Sequence, residues 1–500
     1  MGFAKDSGIL LFGLTIQRVL SVTLIPLVAW LLGPLDYGIF NIAASICTLC
    51  SVIGSLSLEA SIAITDTRKQ ALFRAICTSL IGILSGVFFF ALVYFSQPYL
   101  LKYFSPDVIY ALLWMIPFFV PLTIVNISLQ NYVTYLGEFR WVAFADIASS
   151  VTNYVALITV YFLISGDYFA LILASLVSSA TRIIVFLRSP LKGDLGVRSL
   201  SLSSIRKEVW EARHFIKFNF PCNILNSANV QLPPALLSLR YPESVVGLFV
   251  MARNIMMIPA TLSGQALGQV FYPKAAKEYR EGRGLQGITW RTFLSSCQLT
   301  LFPTIFIVSA AGFVLPILLG SKWSGIAIYT VLLLPMVLLN GIQTQIGIGF
   351  IFNILNQESK VLLGNGLLFL FRIGPLIVSL FIAEFHVYAT VLIYSIGSAA
   401  GYAFLLVWIF LTTSISLRKA GSSLLKYLTL AVLCIWPLLL SVLSDKPLFL
   451  LFCLFLSGLM YGLVVWFEFL NDDRRSSIIE KTHGSLSFVK SKMFSLRKLN

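Results

Sequence analysis

The stretch "GILLFGLTIQRVLSVTLIPLVAWLLG", residues 8–33, decides the fold class. As an α-helix rising about 1.5 Å per residue it is long enough for the ~30 Å hydrocarbon layer of a bilayer, yet Arg18 stands close to its middle. Working outward, runs of this kind recur along nearly the whole chain. Their lengths predict spans over about 8–32, 38–62, 75–95, 110–135, 143–165, 168–187, 215–239, 245–272, 292–319, 326–352, 361–383, 387–412, 426–443 and 447–468, fourteen in all. The 500 residues are 58% hydrophobic and 11% charged, too little polar surface to cover a water-soluble globule. A transmembrane barrel would alternate apolar and polar residues, and these runs do not. The first run also exceeds the 7–15 residues of a signal-peptide core and has no small-residue cleavage site, so the first helix is expected to stay. The fold class is therefore all-α, a polytopic membrane protein with about 14 transmembrane helices.

Basic residues set the orientation. With the amino terminus cytoplasmic, only Lys102, Arg240, Lys322 and Lys446 of the 36 Lys and Arg residues fall on the opposite side. Arg18, Arg182, Arg253 and Arg372 lie within spans, and the remainder face the cytoplasm. The strongest inside signals are "RSPLKGDLGVRSLSLSSIRKEVWEARHFIK" (188–217), "PKAAKEYREGR" (273–283), "SLRKAGSSLLK" (416–426) and the tail after Glu468. The net charge of +15 thus reflects topology, and its dispersal among short loops argues against nucleic acid as a partner.

The basic segment divides six spans from eight. It implies an N-terminal lobe over 1–190, a cytoplasmic linker over 191–214, a C-terminal lobe over 215–413, two further spans over 414–470 and a basic tail over 471–500. An internal repeat supports two pseudo-symmetric six-helix lobes. "YGIFNIAASI" (37–46) and "VGLFVMARNI" (246–255) share Gly, Phe, Ala and Ile at a constant offset, each opening the second helix of its lobe. Six spans return the chain to its starting side, so the lobes would be a parallel repeat with the site in the cleft between them.

Charge inside the membrane points to that cleft. Arg18, Arg253 and Arg372 sit near the midplane, where a charge costs from about 3 to more than 10 kcal/mol without a partner or a hydrated cavity. Arg182 lies nearer the cytoplasmic end, where its side chain can snorkel. Acidic partners are scarce: Glu59 and Asp146, near cytoplasmic helix ends, are the candidate charge partners or coupling residues. Either the arginines lock helices together through carbonyls and those two acids, or they form a cationic cavity for an anion, held bidentately by guanidinium groups. Asn41, Ser45, Thr48, Ser55 and Glu59 share one face of the second span, and Asn219, Asn223 and Asn226 one face of the seventh. These are candidate sugar contacts, or interhelical hydrogen bonds. Pro26, Pro221, Pro233, Pro234, Pro259, Pro335 and Pro375 predict bends.

The seven cysteines all lie in apolar stretches and imply no disulfide framework, and Cys47 and Cys50 lack a thioredoxin-like context. His214, His386 and His483 are too scattered to suggest a metal site. With no P-loop, no H-E-x-x-H and no G-x-S-x-G, neither an enzyme nor a bound cofactor is expected. A carrier driven by gradients fits better than one driven by ATP.

At "LLGPLDYGIFNIAASICTLCSVIGSLSLEASIAI", residues 31–64, the chain resembles the bacterial polysaccharide flippases (O-antigen flippase, Wzx type) of the multidrug/oligosaccharidyl-lipid/polysaccharide (MOP) exporter superfamily. The matching residues are Leu32-Gly33-Pro34, Asp36-Tyr37-Gly38, Phe40, Ser45-Ile46 and Leu58-Glu59. The resemblance implies a monomer in the bacterial cytoplasmic (inner) membrane, both termini cytoplasmic. It would move an undecaprenyl-diphosphate-linked oligosaccharide to the outer leaflet by alternating access, for O-antigen, capsule or exopolysaccharide synthesis. Its partners would be that anionic lipid-linked oligosaccharide, the surrounding membrane lipids, a polysaccharide polymerase and a chain-length regulator. Related lipid II flippases line their cavity with arginines of the first and eighth helices, placements that Arg18 and Arg253 match. Their arginine-rich first helix is thin here, which favours the polysaccharide branch over a lipid II flippase. The main competitor is a MATE-like ion-coupled exporter of small molecules, although the first span offers Arg18 and no acid. A structural membrane protein would follow if every arginine were charge-paired and no cavity existed.

Overall fold

The computed structural model describes residues 2–188, 210, 213–440 and 447–470. Most of the linker 191–214 and all of the tail 471–500 lie outside the described residues. Sixteen α-helices follow in order: α1 (Gly2–Leu31), α2 (Pro34–Ser55), α3 (Arg68–Leu100), α4 (Pro106–Tyr135), α5 (Phe139–Leu163), α6 (Tyr168–Arg188), α7 (Arg213–Leu237) and α8 (Glu243–Met256). Then come α9 (Ile258–Arg280), α10 (Gln286–Leu319), α11 (Ile326–Ile346), α12 (Ile348–Ile354), α13 (Glu358–Ile377), α14 (Val387–Thr412), α15 (Leu417–Leu440) and α16 (Pro447–Leu470). Among the described residues, eleven helical segments are long and apolar enough to cross a membrane, against the fourteen expected. Helices α1 and α16 add shorter apolar stretches, Ile16–Leu31 and Phe452–Trp466. Helix α7 is not among the eleven, its apolar run being diluted by three prolines and four asparagines.

Three expected spans are interrupted. The second ends its α-helix at Ser55, passes through Leu56 and Ser57 at φ of 52° and 56°, and continues as a 3₁₀ turn, Leu58–Ile64. The eighth breaks at Met257 between α8 and α9, beside Pro259, whose ring cannot donate to the preceding turn. The tenth breaks at Gly347, held at φ +63° between α11 and α12. The other prolines flagged from the sequence lie inside continuous helices. Next to Pro335, the backbone N–H of Met336 is satisfied from another helix, donating to Ser395 Oγ at 3.2 Å.

Helices α1–α6 pack mainly among themselves, α3 on α4, α5 on α6 and α1 on α5. Helices α7–α14 form a second set, with α11 central against α8, α9, α10 and α14. Helix α2 joins the two sets by packing on α7 and α8. Its crossing with α8 is a backbone contact: a Cβ on Gly38 would lie 1.8 Å from the Glu243 carbonyl oxygen, and one on Gly247 would lie 1.9 Å from that of Pro34. Only glycine permits this approach. These are the glycines of the internal repeat, and each meets the residue four before the other, so the contact is reciprocal.

The same end of the bundle is fastened by indoles. Trp323 is fully buried and its Nε1 donates to the Ala29 carbonyl at 3.0 Å. Trp30 Nε1 donates to the Leu318 carbonyl at 2.7 Å. The α7–α8 and α13–α14 connections are tied by Arg240 to Glu384 at 3.1 Å and by Tyr241 Oη to the Phe385 carbonyl at 2.6 Å. Towards the opposite end, Asn223 Nδ2 of α7 donates to Ser57 Oγ at 3.0 Å.

Candidate functional site

Two cavities meet at the break between α8 and α9. The larger, about 610 Å³, lies among α7, α8, α11, α13 and α14, and both Arg253 and Arg372 line it. Asn226, predicted from the seventh span, is on its wall, joined by Asn229, Asn254, Asn340, Gln343 and Asn365. The smaller, about 380 Å³, lies between the two helix sets and is lined by Arg18 and mostly apolar side chains. Asn254 and Met257 belong to both walls. Neither wall contains a carboxylate.

Arg372 is buried on α13 and held without an acid. Its Nε donates to Tyr394 Oη and its Nη1 to Tyr402 Oη, each at 2.8 Å, both tyrosines belonging to α14. Arg253 Nη1 donates to the Val230 carbonyl at 2.9 Å, and its guanidinium lies 5.9 Å from the Phe249 ring centroid. That carbonyl bond is the helix-locking role considered from the sequence, but Arg253 keeps further N–H groups and also faces the cavity. Two guanidinium charges thus share one polar cavity, a geometry suited to phosphate oxygens.

The other arginine is different. Arg182 does not snorkel: it pairs with Asp146 on α5 and donates to Gln130 Oε1 at 3.1 Å. Residues 146 and 182 lie on helices that pack along their length, so the ion pair neutralises the two charges within the N-terminal set, although Arg182 Nε is buried without a hydrogen-bond partner. Arg18 lies within electrostatic reach of the same Asp146. Glu59 stands in the 3₁₀ turn after α2, its Oε2 buried without a hydrogen-bond partner.

Several polar residues expected to face cargo are turned elsewhere. Asn223 serves the α2–α7 contact and is not on either wall. Asn41 and Thr48 donate to the carbonyls of Tyr37 and Ala44, one turn back on their own helix, and line neither cavity. The carboxamides of α8, α11 and α13 were readable as polar side chains in apolar runs, but nothing in the sequence gives their common direction. Among the described residues no group of three or more His, Cys, Asp or Glu could hold a metal ion, and all seven cysteines are free.

A family model described as polysaccharide biosynthesis protein matches residues 27–328, more than half of the chain. A solved structure of the lipid II flippase MurJ in an inward closed conformation is similar with a TM-score of 0.72 and 14% identity, covering 93% of this chain and 99% of that one. An inward-facing multidrug resistance MATE family transporter of the MOP superfamily gives a TM-score of 0.57 at 15% identity, over 82% and 93% of the two chains. A MOP superfamily transporter from Pyrococcus furiosus gives 0.53 at 16%, over 82% and 95%. No curated protein sequence matches the chain significantly. This multi-pass membrane protein belongs to the polysaccharide biosynthesis protein family and has the fold shared by the lipid II flippase MurJ and the MATE transporters.

Proposed function

We propose that the protein is a flippase for an undecaprenyl-diphosphate-linked oligosaccharide, moving it from the inner to the outer leaflet of the bacterial cytoplasmic membrane for surface polysaccharide synthesis. The observation that carries this reading is the pairing of Arg253 and Arg372 in one carboxamide-rich cavity whose wall has no carboxylate. A cation would be repelled there, whereas the two charges of a phosphodiester-type diphosphate would be matched. Arg18, on the adjoining cavity, adds attraction along the path between the lobes. Asn226 and the other carboxamides offer sugar hydroxyls both donors and acceptors.

In this reading the sixteen helices make fourteen crossings, α8 with α9 and α11 with α12 each serving as one broken crossing. The first six and next six crossings form the two lobes, and α15 and α16 follow. The termini are cytoplasmic, and the end fastened by Trp30, Trp323 and the glycine crossing faces outward. Both ends are fastened in this structure, and alternating access opens the contact of Asn223 with Ser57 to admit cargo and the opposite end to release it. An inside-negative potential favours outward movement of the anion by about 2.3 kcal/mol per charge per 100 mV. Glu59, with its unpartnered Oε2, is the site proposed for ion coupling. The protein works as a monomer beside a polymerase and chain-length regulator.

Replacing Arg253 or Arg372 with Gln, in a strain that depends on this gene for surface glycan, is expected to lower the glycan strongly at unchanged protein level, and replacing both to abolish it. Normal glycan in both variants would refute the assignment. Dye efflux in a sensitised host, unaffected by these substitutions, would instead support a MATE-like exporter.

A further inference from the structure

The cavity wall and the closed end of the bundle are joined through one side chain. Asn254 follows Arg253 on α8 and lines both cavities. Its Nδ2 donates to Tyr37 Oη on α2 at 2.9 Å, a hydrogen bond between the two helix sets. The Tyr37 ring meets Trp323 edge-on, with centroids 5.8 Å apart and planes at 73°. Trp323 in turn ties to the Ala29 carbonyl of α1 at 3.0 Å. The residue after Tyr37 is Gly38 of the α2–α8 crossing. A continuous path of three contacts therefore runs from the cargo cavity to the seal.

The first link is the one that an anionic cargo can break. A neutral amide-to-phenol bond competes with a bond from the same amide to a phosphate oxygen, and charge-assisted bonds are roughly twice as strong. Asn254 has two N–H donors, but only the carboxamide's rotation decides where they point. Tyr37 is largely buried, with Trp323 against one side of its ring and the smaller cavity on another. Its backbone is held by the Gly38–Glu243 crossing, so loss of the Asn254 bond frees the ring rather than the helix.

We propose that Asn254 and Tyr37 couple cargo binding to release of the seal: cargo in the Arg253 and Arg372 cavity takes the Asn254 amide, and Tyr37, freed, lets Trp323 part from α1. This rests on the reading of that cavity as the cargo site. Asn254 is then a switch residue, and Tyr37 a positioning residue that reports cavity occupancy to the closed end. The arrangement prevents the seal from opening on an empty carrier, which would dissipate any coupling gradient.

Hydrogen–deuterium exchange on the full-length protein in nanodiscs tests this, with a short-chain polyprenyl-diphosphate disaccharide as the probe. In the wild type, saturating probe should protect backbone amides of α8 and α13 and speed exchange in the segments around Ala29 and Trp323. In Y37F the seal segments should exchange about tenfold faster without probe, the effect of losing one hydrogen bond, and respond no further when probe is added. N254A, which cuts the same link from the other side, should give the same fast seal. If Y37F and N254A keep wild-type seal exchange without probe, the coupling is overturned whatever the cargo is. If the wild type shows no protection of α8 and α13, the cargo reading fails, and the coupling to cargo fails with it. If protection appears while the seal stays slow, the cargo reading survives and the coupling does not.

Discussion

Replacing Gly38 with alanine would place a methyl carbon 1.8 Å from the Glu243 carbonyl oxygen. In an unobstructed helix interior the same change stabilises by about 1 kcal/mol, because alanine is the better helix former. At Gly38 the obstacle is backbone, so the two helices must separate along their crossing. Overpacking of this kind costs about 1–3 kcal/mol, and a rigid obstacle belongs at the upper end. Setting the propensity gain against it leaves a net loss of about 2 kcal/mol, or roughly thirtyfold in the folding equilibrium. Gly247→Ala should behave alike, with the Pro34 carbonyl 1.9 Å from its methyl. The double variant should lose less than the sum, since one separation relieves both clashes. Gly312→Ala is the control: Gly312 lies inside α10 with nothing within 4 Å of an added Cβ, and its substitution should be neutral or stabilising. Unfolding of the purified protein in mixed micelles, followed by circular dichroism, gives the comparison. Equal stability of G38A and G312A would refute the reasoning about the crossing.

Other outcomes follow from the polar contacts. Asp146→Asn should destabilise the N-terminal helices by about 3 kcal/mol by stranding Arg182, and a variant with both residues replaced by Leu should lose less, read from a double-mutant cycle. Tyr394→Phe and Tyr402→Phe each remove an acceptor from Arg372, a loss of about 1–3 kcal/mol that should appear in probe affinity as well as in unfolding. The Arg240 guanidinium holds the exposed Glu384 carboxyl below its ordinary value, first by their hydrogen bond and then by charge. Its small, salt-screened contribution should be full above the ordinary carboxylate pKa and vanish as pH falls through the depressed one. The stability difference between wild type and E384Q should therefore be flat from about pH 6 to 8 and disappear under strongly acidic conditions.

The sequence exposed charge more readily than direction. Arg253 and Arg372 stood out because a lone guanidinium in an apolar run is expensive, and the cavity contains both. Arg182 was misread because its partner, Asp146, sits on another helix, and pairing across helices leaves no local pattern. Asn223 and Asn226 differ by three positions on one face, yet one reaches Ser57 and the other the cavity, a distinction set by their height along α7. Pro259 marked the break at Met257 in advance, whereas the turn at Leu56 and Ser57 has neither Gly nor Pro to announce it. The repeated glycine was visible as a repeat, but that its two copies touch each other emerges only when α2 and α8 are packed.

The central claim is that Arg253 and Arg372 carry a lipid-linked anion across the bilayer. The direct measurement is the rate at which polyprenyl-diphosphate oligosaccharide becomes accessible on the far leaflet of proteoliposomes containing the purified protein. The account predicts protein-dependent movement that falls about a hundredfold in the variant with both arginines changed to Gln, each loss removing a charged hydrogen bond to phosphate. Movement at the wild-type rate in that variant would contradict it.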